Sequence, residues 1–384
     1  MEKHLHIISF TIPYPVNYGG VFDLFYKLKA LYEEGIKIHL HCFQYNGIPQ
    51  EALNKYCHSV HYYERHMGHK GLSFSIPYII SSRKNEQLFK NLLQDDYPIV
   101  MEGIHCCYLL TDERFKNRKK FVRLHNIEHK YYRYLAKNSS SFFKKIYFLM
   151  ESKLLKKFER RFLKEANGVW TVSPGDAETL QKNNELNNIH FLPVFLPELW
   201  KEKMNTGTGC YCLYHGDLSI DANENAVIKL IKNVFEELKL PLVIAGKNPS
   251  KRLEKIAHKE KYTCLIANPC EKEMQDMIAK AHINIIPNTN QTGIPVKLLN
   301  ALFNGKFCIT TPESAKATGL HEIFSVATSA EDFKTLIQSF YQEQFTQTQC
   351  EKRHTALNKI YNPQQNAKQI VDWIWNEKDY ANNV

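Results

Sequence analysis

Short β-prone runs alternate with helical segments along most of this 384-residue chain, and this alternation constrains the fold more than any other feature. The pattern opens with a β-prone run at 4–10, a loop at 11–20 and a helix at 21–34, followed by a second β-prone run at 36–43. A strand, a loop, a helix and another strand in this order form a unit that implies a parallel sheet. The sequence therefore predicts a parallel α/β domain at its beginning.

The same alternation continues through the first half of the chain. Further strands are predicted at 98–101, 120–124 and 168–172. A helix at 177–182 follows Ser173, which has the residue type of a helix N-cap. One α/β domain is therefore expected to fill residues 1–195.

The alternation breaks at 192–209, where Pro193, Pro197 and the run 205–209 have the composition of a connection. A chain of 384 residues also exceeds what one hydrophobic core usually organises. A second series follows, with strands at 211–215, 241–245, 262–267, 283–287 and 307–310, and helices at 224–238, 253–258, 272–281, 296–303 and 330–343. We predict a second doubly wound domain at 196–360. Residues 361–384 are predicted as a C-terminal helix, for which a return to the first domain is one arrangement.

Composition excludes several classes of protein. Apolar residues make up 43% of the chain and charged residues 23%, which is ordinary globular composition. No apolar run approaches the roughly 18 residues of a membrane span, and the first residues lack the apolar core of a secretory signal, so a cytoplasmic protein is expected. The ten cysteines show no paired CxxC arrangement, which favours reduced core residues and no zinc site.

The formal charge of +10 favours anionic partners, and much of the excess lies in the basic segment 142–164. Only Glu151 and Glu159 oppose its lysines and arginines. An apolar stripe also runs through the segment at spacings of four, formed by Ile146, Met150, Leu154, Phe158 and Phe162. Two interpretations stay open: a helix that makes peripheral contact with an anionic membrane, and a core-packing helix with a solvated basic face.

The loops after the strands of the second domain are the candidates for ligand binding, because such loops meet at one edge of a parallel sheet. They read 215–219, 245–249, 267–269 and 288–297. In the last of them Gly293 lets the backbone approach a ligand, and Lys297 follows one helical turn on. This arrangement suits a diphosphate. The alternative is an ordinary crossover with a solvated lysine.

The stretch 291–310 resembles the donor-binding region of family-4-type (group 1) GT-B glycosyltransferases of bacterial polysaccharide assembly. Those proteins show Gly-x-x-x-Lys followed by Leu-Glu-Ala, a helix, Gly-x-Pro and Val-x-x-Thr. The matching residues are Gly293, Lys297, Leu299, Ala301, Gly305 and Thr310. Further matches occur in order at Gly19-Gly20, the Arg-x-His-Asn-x-Glu segment 123–128, Val172-Ser173, Gly216 and Gly246. The resemblance implies the GT-B fold, with two Rossmann-like doubly wound domains facing a central cleft.

The resemblance implies roles for the residues that match. Lys297, with Lys247, would bind the diphosphate of the donor and stabilise the leaving nucleotide without a metal. Gly20 would let the first-domain loop approach the donor. The other wall would be lined by Gly216, Asp217 and Ser219, and the loop at Asn268 would meet the base.

His125 matches a first-domain histidine that lies near the reacting sugar in similar enzymes. Its imidazole could orient a donor hydroxyl or relay a proton from the acceptor. Glu102 and Glu128 are alternative carboxylates for the acceptor side. For these two glutamates a solvated or capping role is the other interpretation.

The chain departs from the family pattern at two positions eight residues apart. Similar enzymes carry glutamates there, near the hydroxyls of the donor sugar and the ribose, whereas this chain has Thr292 and Asn300. Both can form a hydrogen bond with a hydroxyl, but neither is charged. The usual carboxylate contact to ribose is therefore absent.

The resemblance implies that a hexose-type sugar passes, with retention, from a UDP- or GDP-linked nucleotide-sugar donor to a glycan or lipid-linked acceptor. The setting would be cell-surface polysaccharide, lipopolysaccharide or glycoprotein glycan biosynthesis, with no cofactor or metal. A non-catalytic or regulatory GT-B-like protein with a degenerate donor site is the alternative. An epimerase would need carboxylates on both sides of the cleft. The sequence shows no nucleic-acid-binding motif, so no nucleic-acid partner is expected.

Overall fold

The computed structural model describes residues 2–16, 19–44, 48–184, 188–200, 205–320 and 322–376. Parts of the predicted loop (17–18), of the predicted connection (201–204) and of the last segment (377–384) lie outside the described residues. The chain divides into two compact units. The first unit comprises Met1–Arg133, Ile146–Leu196 and Tyr361–Val384, and the second comprises Tyr134–Lys145 and Pro197–Ile360.

The first unit contains a seven-stranded sheet in which every neighbouring pair is parallel. Its strands are β1 (His4–Ser9), β2 (Lys37–Gln44), β3 (Ser59–Glu64), β4 (Ile99–Glu102), β5 (Lys120–Leu124), β6 (Gly168–Thr171) and β7 (Ile189–Phe191). Their order in the sheet is β3-β2-β1-β4-β5-β6-β7. The strand order therefore reverses between β1 and β4, which is where ligands bind in open α/β sheets.

Within the described residues, six helices accompany these strands along the chain: α1 (Gly19–Glu33), α2 (Tyr78–Ser81), α3 (Glu86–Leu92), α4 (Glu128–Asn138), α5 (Phe142–Phe162) and α6 (Pro174–Asn184). A 3₁₀ segment, Ile104–Thr111, follows β4. Gly20 was predicted to belong to the loop before α1, but it lies in the first turn of that helix. The prediction placed the start of the helix at Val21, because this buried residue is the first of its amphipathic face. The helix itself begins two residues earlier.

The second unit contains a six-stranded parallel sheet. Its strands are β8 (Cys212–Asp217), β9 (Leu242–Lys247), β10 (Thr263–Ala267), β11 (Ile283–Ile286), β12 (Phe307–Thr310) and β13 (Ser325–Val326). They are ordered β10-β9-β8-β11-β12-β13, so the strand order reverses between β8 and β11. Both sheets are thus doubly wound, as the sequence predicted.

The remaining helices are α7 (Asp221–Leu230), α8 (Glu236–Leu238), α9 (Lys251–Lys259), α10 (Glu271–Lys280), α11 (Val296–Asn304), α12 (Pro312–Thr318), α13 (Ala330–Tyr341), α14 (Gln347–Ile360) and α15 (Pro363–Trp375). A π-helical segment, Ile231–Phe235, joins α7 to α8, so the helix predicted at 224–238 is continuous but not uniformly α-helical. No helix within the described ranges is both long enough and apolar enough to cross a membrane.

The C-terminal helix α15 belongs to the first unit. Ile370 and Trp373 of α15 are buried in one cluster with Leu24 and Leu28 of α1. The Trp373 ring also stacks on Trp170 of β6, with the ring centroids 5.6 Å apart. Burial of two indole rings makes this contact a substantial part of the core of the first unit.

Two expectations about side chains need correction. Seven of the ten cysteines are buried, but Cys210, Cys264 and Cys270 are exposed and are therefore not core residues. The apolar stripe of α5 is buried only in its C-terminal half, at Phe158, whereas Ile146 and Met150 are exposed. Neither interpretation of the basic segment thus describes the whole helix.

Candidate functional site

Lys297 is the second residue of α11, next to the point where the strand order of the second sheet reverses. Its Nζ atom lies 3.3 Å from Oδ1 of Asn223 and 3.4 Å from the hydroxyl of Tyr214. The same atom stands 4.8 Å from the centroid of the Tyr214 ring, which permits a cation–π contact. The lysine is therefore held at the carboxyl end of β8 instead of extending into solvent.

Two glycines give this site its shape. A Cβ atom placed on Gly216 would stand 3.4 Å from Nζ of Lys297, so glycine at this position leaves space beside the ammonium that a side chain would fill. A Cβ atom on Gly246, in the neighbouring strand, would lie only 2.0 Å from the carbonyl oxygen of Gly216. The ends of β8 and β9 can therefore approach this closely only with glycine at position 246.

The charge at this site is concentrated on one group. Burial lowers the pKa of Lys297 to about 8, so the ammonium form still predominates at neutral pH. Burial, together with the charge of Lys297, lowers the pKa of the adjacent His215 to about 3, so this imidazole is neutral. The contacts of Lys297 are a phenol and an amide, which leave its positive charge available to an anion.

The loop between β11 and α11 contains the predicted donor-binding residues Thr292 and Gly293. Thr292 is buried, and its carbonyl oxygen accepts a hydrogen bond from Nδ2 of Asn290 at 2.8 Å. Gly293 has a φ of 70°, a conformation that glycine adopts without strain. Asn300 accepts a hydrogen bond at Oδ1 from Nδ2 of Asn304, at 2.9 Å. Of the two positions that hold glutamates in similar enzymes, one is thus occupied by a buried threonine and the other by an asparagine whose side chain is hydrogen-bonded within the same helix.

The other predicted donor-site residues lie farther along the same sheet edge. Asp217 is exposed, and its Oδ1 accepts hydrogen bonds from the backbone N–H of Ser219 at 3.0 Å and from its hydroxyl at 2.6 Å. Lys247 is the last residue of β9, and Asn268 directly follows β10. In the sheet, β9 and β10 lie one and two strands from β8, on the side away from β11. The structure therefore brings Lys297 and Gly216 together, with Asp217 and Ser219 at the rim, Lys247 opposite Asp217 in the neighbouring strand, and Asn268 one strand farther away.

His125 follows β5 in the first unit. Its Nε2 atom lies 3.2 Å from Oε2 of Glu102, the last residue of the neighbouring strand β4. On the other side, Nδ1 of His125 would be 3.4 Å from a Cβ atom placed on Gly20. The predicted residues His125 and Gly20 are thus adjacent at the carboxyl edge of the first sheet, where its strand order reverses.

A network of buried ion pairs lies next to His125 and includes its partner Glu102. Lys27 Nζ lies 2.7 Å from Oε1 of Glu102 and 3.5 Å from Oδ2 of Asp23, and Arg123 binds Asp23 at 3.2 Å. Burial alone would raise the pKa of both carboxyls, but the charges of Lys27 and, for Asp23, of Arg123 outweigh it and lower both pKa values. Two anions and two cations thus compensate each other inside the unit.

Oxygen atoms of Asp23 and Glu102 and a ring nitrogen of His125 lie within 4.8 Å of one another, close enough to share a metal ion. The ammonium of Lys27 already binds both carboxylates at that place. A divalent cation would have to displace it, and the displaced ammonium would then be buried without a partner. The cluster therefore fits an internal ion network better than a metal centre.

Glu128, the first residue of α4, is buried, and burial raises its pKa to about 8. Nδ2 of Asn126 lies 3.3 Å from Oε1 of Glu128, and the nearby carboxyls of Glu159 and Asp176 also raise the pKa of Glu128. Glu102 is fully buried as well. Neither glutamate is the solvated residue that the sequence left open.

Sequence reasoning missed several residues of both sites. Tyr214 and Asn223 position Lys297, but they are separated from it by more than 70 residues. Asp23 and Lys27 do carry a signal, because they occur next to Leu24 and Leu28 on the apolar face of α1. Charged residues four apart on a buried helix face indicate a paired network.

Part of the chain matches a known protein family. Residues 210–343 match the model of the family described as glycosyl transferases group 1. A Klebsiella pneumoniae protein, described as an uncharacterised 44.6 kDa protein in the cps region, is 25% identical over 333 residues. That similarity covers 82% of this chain and 84% of the relative.

Three solved structures are similar over nearly the whole chain. TarM from S. aureus, solved as a mutant with fondaparinux, α-GlcNAc-glycerol and UDP, has a TM-score of 0.68 at 10% identity, covering 97% of this chain and 100% of TarM. WaaG, a glycosyltransferase involved in lipopolysaccharide biosynthesis, has a TM-score of 0.65 at 11% identity, covering 97% and 99%. Anabaena HepE, solved with UDP and glucose, has a TM-score of 0.64 at 11% identity, covering 96% and 98%.

These similarities confirm the predicted resemblance and the predicted fold class. The chain has the GT-B fold, and its residues 210–343 match the model of the glycosyl transferases group 1.

Proposed function

We propose that this protein transfers a hexose-type sugar from a UDP- or GDP-linked donor to a glycan or lipid-linked acceptor in cell-surface glycan assembly. The group 1 domain and the GT-B fold support a glycosyl transfer role. UDP in the TarM and HepE structures, the lipopolysaccharide role of WaaG and the cps-region relative support the finer statement. The observation that carries it is the ammonium of Lys297, which lies beside Gly216 and is held by a phenol and an amide that leave its charge available to an anion.

In this proposal Lys297 donates hydrogen bonds to the diphosphate of the donor, aided by the N-terminus of α11. As the bond between C1 of the sugar and the phosphate oxygen breaks, its electron pair stays on the leaving diphosphate. Lys297 stabilises that charge, so no metal is required. The acceptor oxygen bonds to C1 on the face that the diphosphate leaves, with retention, and its proton passes to the departing phosphate oxygen.

His125 is assigned to the sugar end of the same reaction. Glu102 holds Nε2 of His125, so Nδ1 is the ring nitrogen that faces Gly20. Because the Glu102 carboxylate can only accept, Nε2 carries the proton, and Nδ1 of the neutral ring can accept a hydrogen bond from a donor hydroxyl. Glu102 is in this view a positioning residue, since its own oxygens are occupied by Lys27 and His125.

The test is thermal unfolding of the purified protein with UDP-, GDP-, ADP- and CMP-sugars at about 1 mM, the upper end of common KM values, with a chelator present. A ligand that binds only the folded state raises the melting temperature. We expect one donor class to stabilise the wild type and Lys255→Ala, an exposed lysine of α9, but not Lys297→Ala. Absence of any stabilisation, or equal stabilisation of Lys297→Ala, would contradict the proposal.

A second candidate is a non-catalytic GT-B-like protein with a degenerate donor site. It is favoured by the residues at positions 292 and 300: Thr292 is buried, and the side chain of Asn300 is hydrogen-bonded to that of Asn304. Neither residue offers a carboxylate to a donor sugar or ribose. The two candidates differ in turnover: release of nucleoside diphosphate from a bound donor supports the transferase, and binding without release over a panel of acceptors supports the second candidate.

A further inference from the structure

The first unit exposes large apolar side chains on two neighbouring elements. On α5 these are Ile146, Tyr147, Leu149 and Met150, of which Met150 is 61% exposed. On the segment that leads from β3 to α2 they are Met67, Leu72 and Phe74, of which Phe74 is fully exposed. Single exposed apolar residues are common, but a group on adjoining elements marks an interaction surface.

Tyr78 connects the two elements. Its backbone N–H donates to the carboxylate of Glu151 in α5, with N–O distances of 2.9 and 3.1 Å. Its hydroxyl accepts a hydrogen bond from the backbone N–H of Gly68 at 3.0 Å. Met150 and Met67 are the chain neighbours of these two contact points. Tyr78 therefore links α5 to the segment 67–74, with the exposed residues Met150 and Met67 next to its two contact points.

The exposed charge of α5 has one sign. Both acidic residues of α5 are buried, Glu151 at the N-terminus of α2 and Glu159 against His129. The basic residues of α5 are all exposed: Lys144, Lys145, Lys153, Lys156, Lys157, Arg160 and Arg161. The exposed surface of α5 is therefore positive as well as apolar.

We propose that α5 and the segment 67–74 form a surface that docks on an anionic lipid bilayer. Exposed leucine, isoleucine, methionine and phenylalanine side chains enter the acyl boundary, and the lysines and arginines bind lipid phosphates. A second copy of this chain fits the surface less well, because an isologous contact would bring two positive surfaces together. Nucleic acid would match the charge but leave the aliphatic side chains in water.

The test is co-sedimentation with vesicles of phosphatidylcholine, alone or mixed with phosphatidylglycerol. We expect binding to the mixed vesicles only, weakened but not abolished by added salt, because salt screens the lysines and leaves apolar insertion intact. Lys156→Glu/Lys157→Glu should lower binding by more than about tenfold. Lys255→Glu/Lys259→Glu, with the same charge change on the exposed face of α9, should bind as the wild type does.

The apolar contribution has its own variant. Phe74→Ser/Met150→Ser should lower vesicle binding at high salt, whereas Ile48→Ser/Leu199→Ser, at two other exposed apolar positions, should not. Unchanged thermal unfolding shows that each variant is folded. Equal losses in variant and control overturn the proposal. Equal binding of the wild type to vesicles with and without phosphatidylglycerol would also overturn it. So would the absence of vesicle binding together with self-association of the protein, measured by light scattering. A third contrary result would be displacement of the protein from vesicles by duplex RNA, combined with unchanged vesicle binding of Phe74→Ser/Met150→Ser.

Discussion

The ammonium of Lys297 lies over the ring of Tyr214, 4.8 Å from its centroid, with the phenol oxygen 3.4 Å from Nζ. Tyr214 is fully buried in β8, and its hydroxyl also donates to the carbonyl oxygen of Asn223 at 3.3 Å. The strand thus provides a fixed platform for the lysine. A lysine fixed in this way loses less side-chain entropy when it binds an anion than one that is free in solvent.

Tyr214→Phe keeps the platform and removes only the hydroxyl. Two hydrogen bonds of this hydroxyl are lost, so we expect a decrease of about 1–2 kcal/mol in the free energy of unfolding. Donor affinity should fall by less than about tenfold, since the ring remains beneath Lys297. Urea unfolding and calorimetric titration of the donor measure the two effects. A complete loss of donor binding in Tyr214→Phe would show that the hydroxyl itself contacts the donor.

Substitution by alanine should have different effects at Gly216 and at Gly246, on donor binding in the first case and on stability in the second. Gly216→Ala places a Cβ at ordinary contact distance from Nζ of Lys297, so the protein should stay folded while the ammonium becomes partly covered. Gly246→Ala places a Cβ 2.0 Å from the carbonyl oxygen of Gly216, so the ends of β8 and β9 must separate. We expect weaker donor binding with an unchanged melting temperature for Gly216→Ala, and a lower melting temperature for Gly246→Ala. The reverse pattern would contradict this description of the sheet edge.

The pKa of Lys297 predicts how donor binding depends on pH. Burial lowers this pKa to about 8, and a bound diphosphate raises it because it favours the ammonium form. Affinity should therefore be nearly constant below pH 8 and fall, by up to about tenfold per pH unit, as the pH rises above it. Lys297→Arg stays charged over this range, so its affinity should not show that decrease. Titrations of both proteins from neutral to alkaline pH provide the measurement.

The ion network around Glu102 predicts a large effect of one neutral substitution. Glu102→Gln leaves the cations Lys27 and Arg123 with only Asp23 to compensate them, so unfolding should become easier by about 3–5 kcal/mol. Lys27→Met/Glu102→Gln removes both partners of one pair and should recover most of that loss. Chemical unfolding of the three proteins tests this. If the double variant is no more stable than Glu102→Gln, the two residues are not coupled.

The parts of the fold that the sequence predicted are those set by local pattern. β5 has the predicted bounds, and β11 and α11 lie within one residue of theirs, because apolar runs and the glycine at 305 define them locally. α14 was not predicted, since its buried face includes Arg353 and His354, which obscure the apolar spacing. Arg353 is tolerated there because its guanidinium donates to the carbonyl oxygens of Gly305 and Lys306.

The candidate sites divide in the same way. A motif predicted Lys297 and Gly216, whose roles depend on short segments. The long-range contacts of the two sites could not be predicted, because Tyr214 reaches Lys297 across 83 residues and Arg123 reaches Asp23 across 100. Such contacts depend on strand order, which the alternation of strands and helices does not specify.

A row of histidines on β1 and β2 predicts that acid destabilises the first unit. His6 Nδ1 lies 2.8 Å from His41 Nε2, and His39 stands beside His4. Burial, with the neighbouring histidines, lowers the pKa of His39 to about 4 and that of His41 well below its usual value. The pKa of His6 is also lowered by burial, although Asp95 opposes this. These imidazoles are therefore neutral in the folded protein at neutral pH.

In the unfolded chain the same histidines titrate near pH 6.5. The unfolded chain therefore binds protons first as the pH falls, so stability is complete above about pH 6.5 and is lost progressively towards pH 4. His39→Asn should make the free energy of unfolding depend less steeply on pH in this window, whereas His258→Asn, at an exposed position of α9, should leave the slope unchanged. Urea unfolding at a series of pH values gives both slopes. Equal slopes in His39→Asn and the wild type would mean that the row is protonated in the folded protein, as a charged cluster stabilised by Asp95 would be.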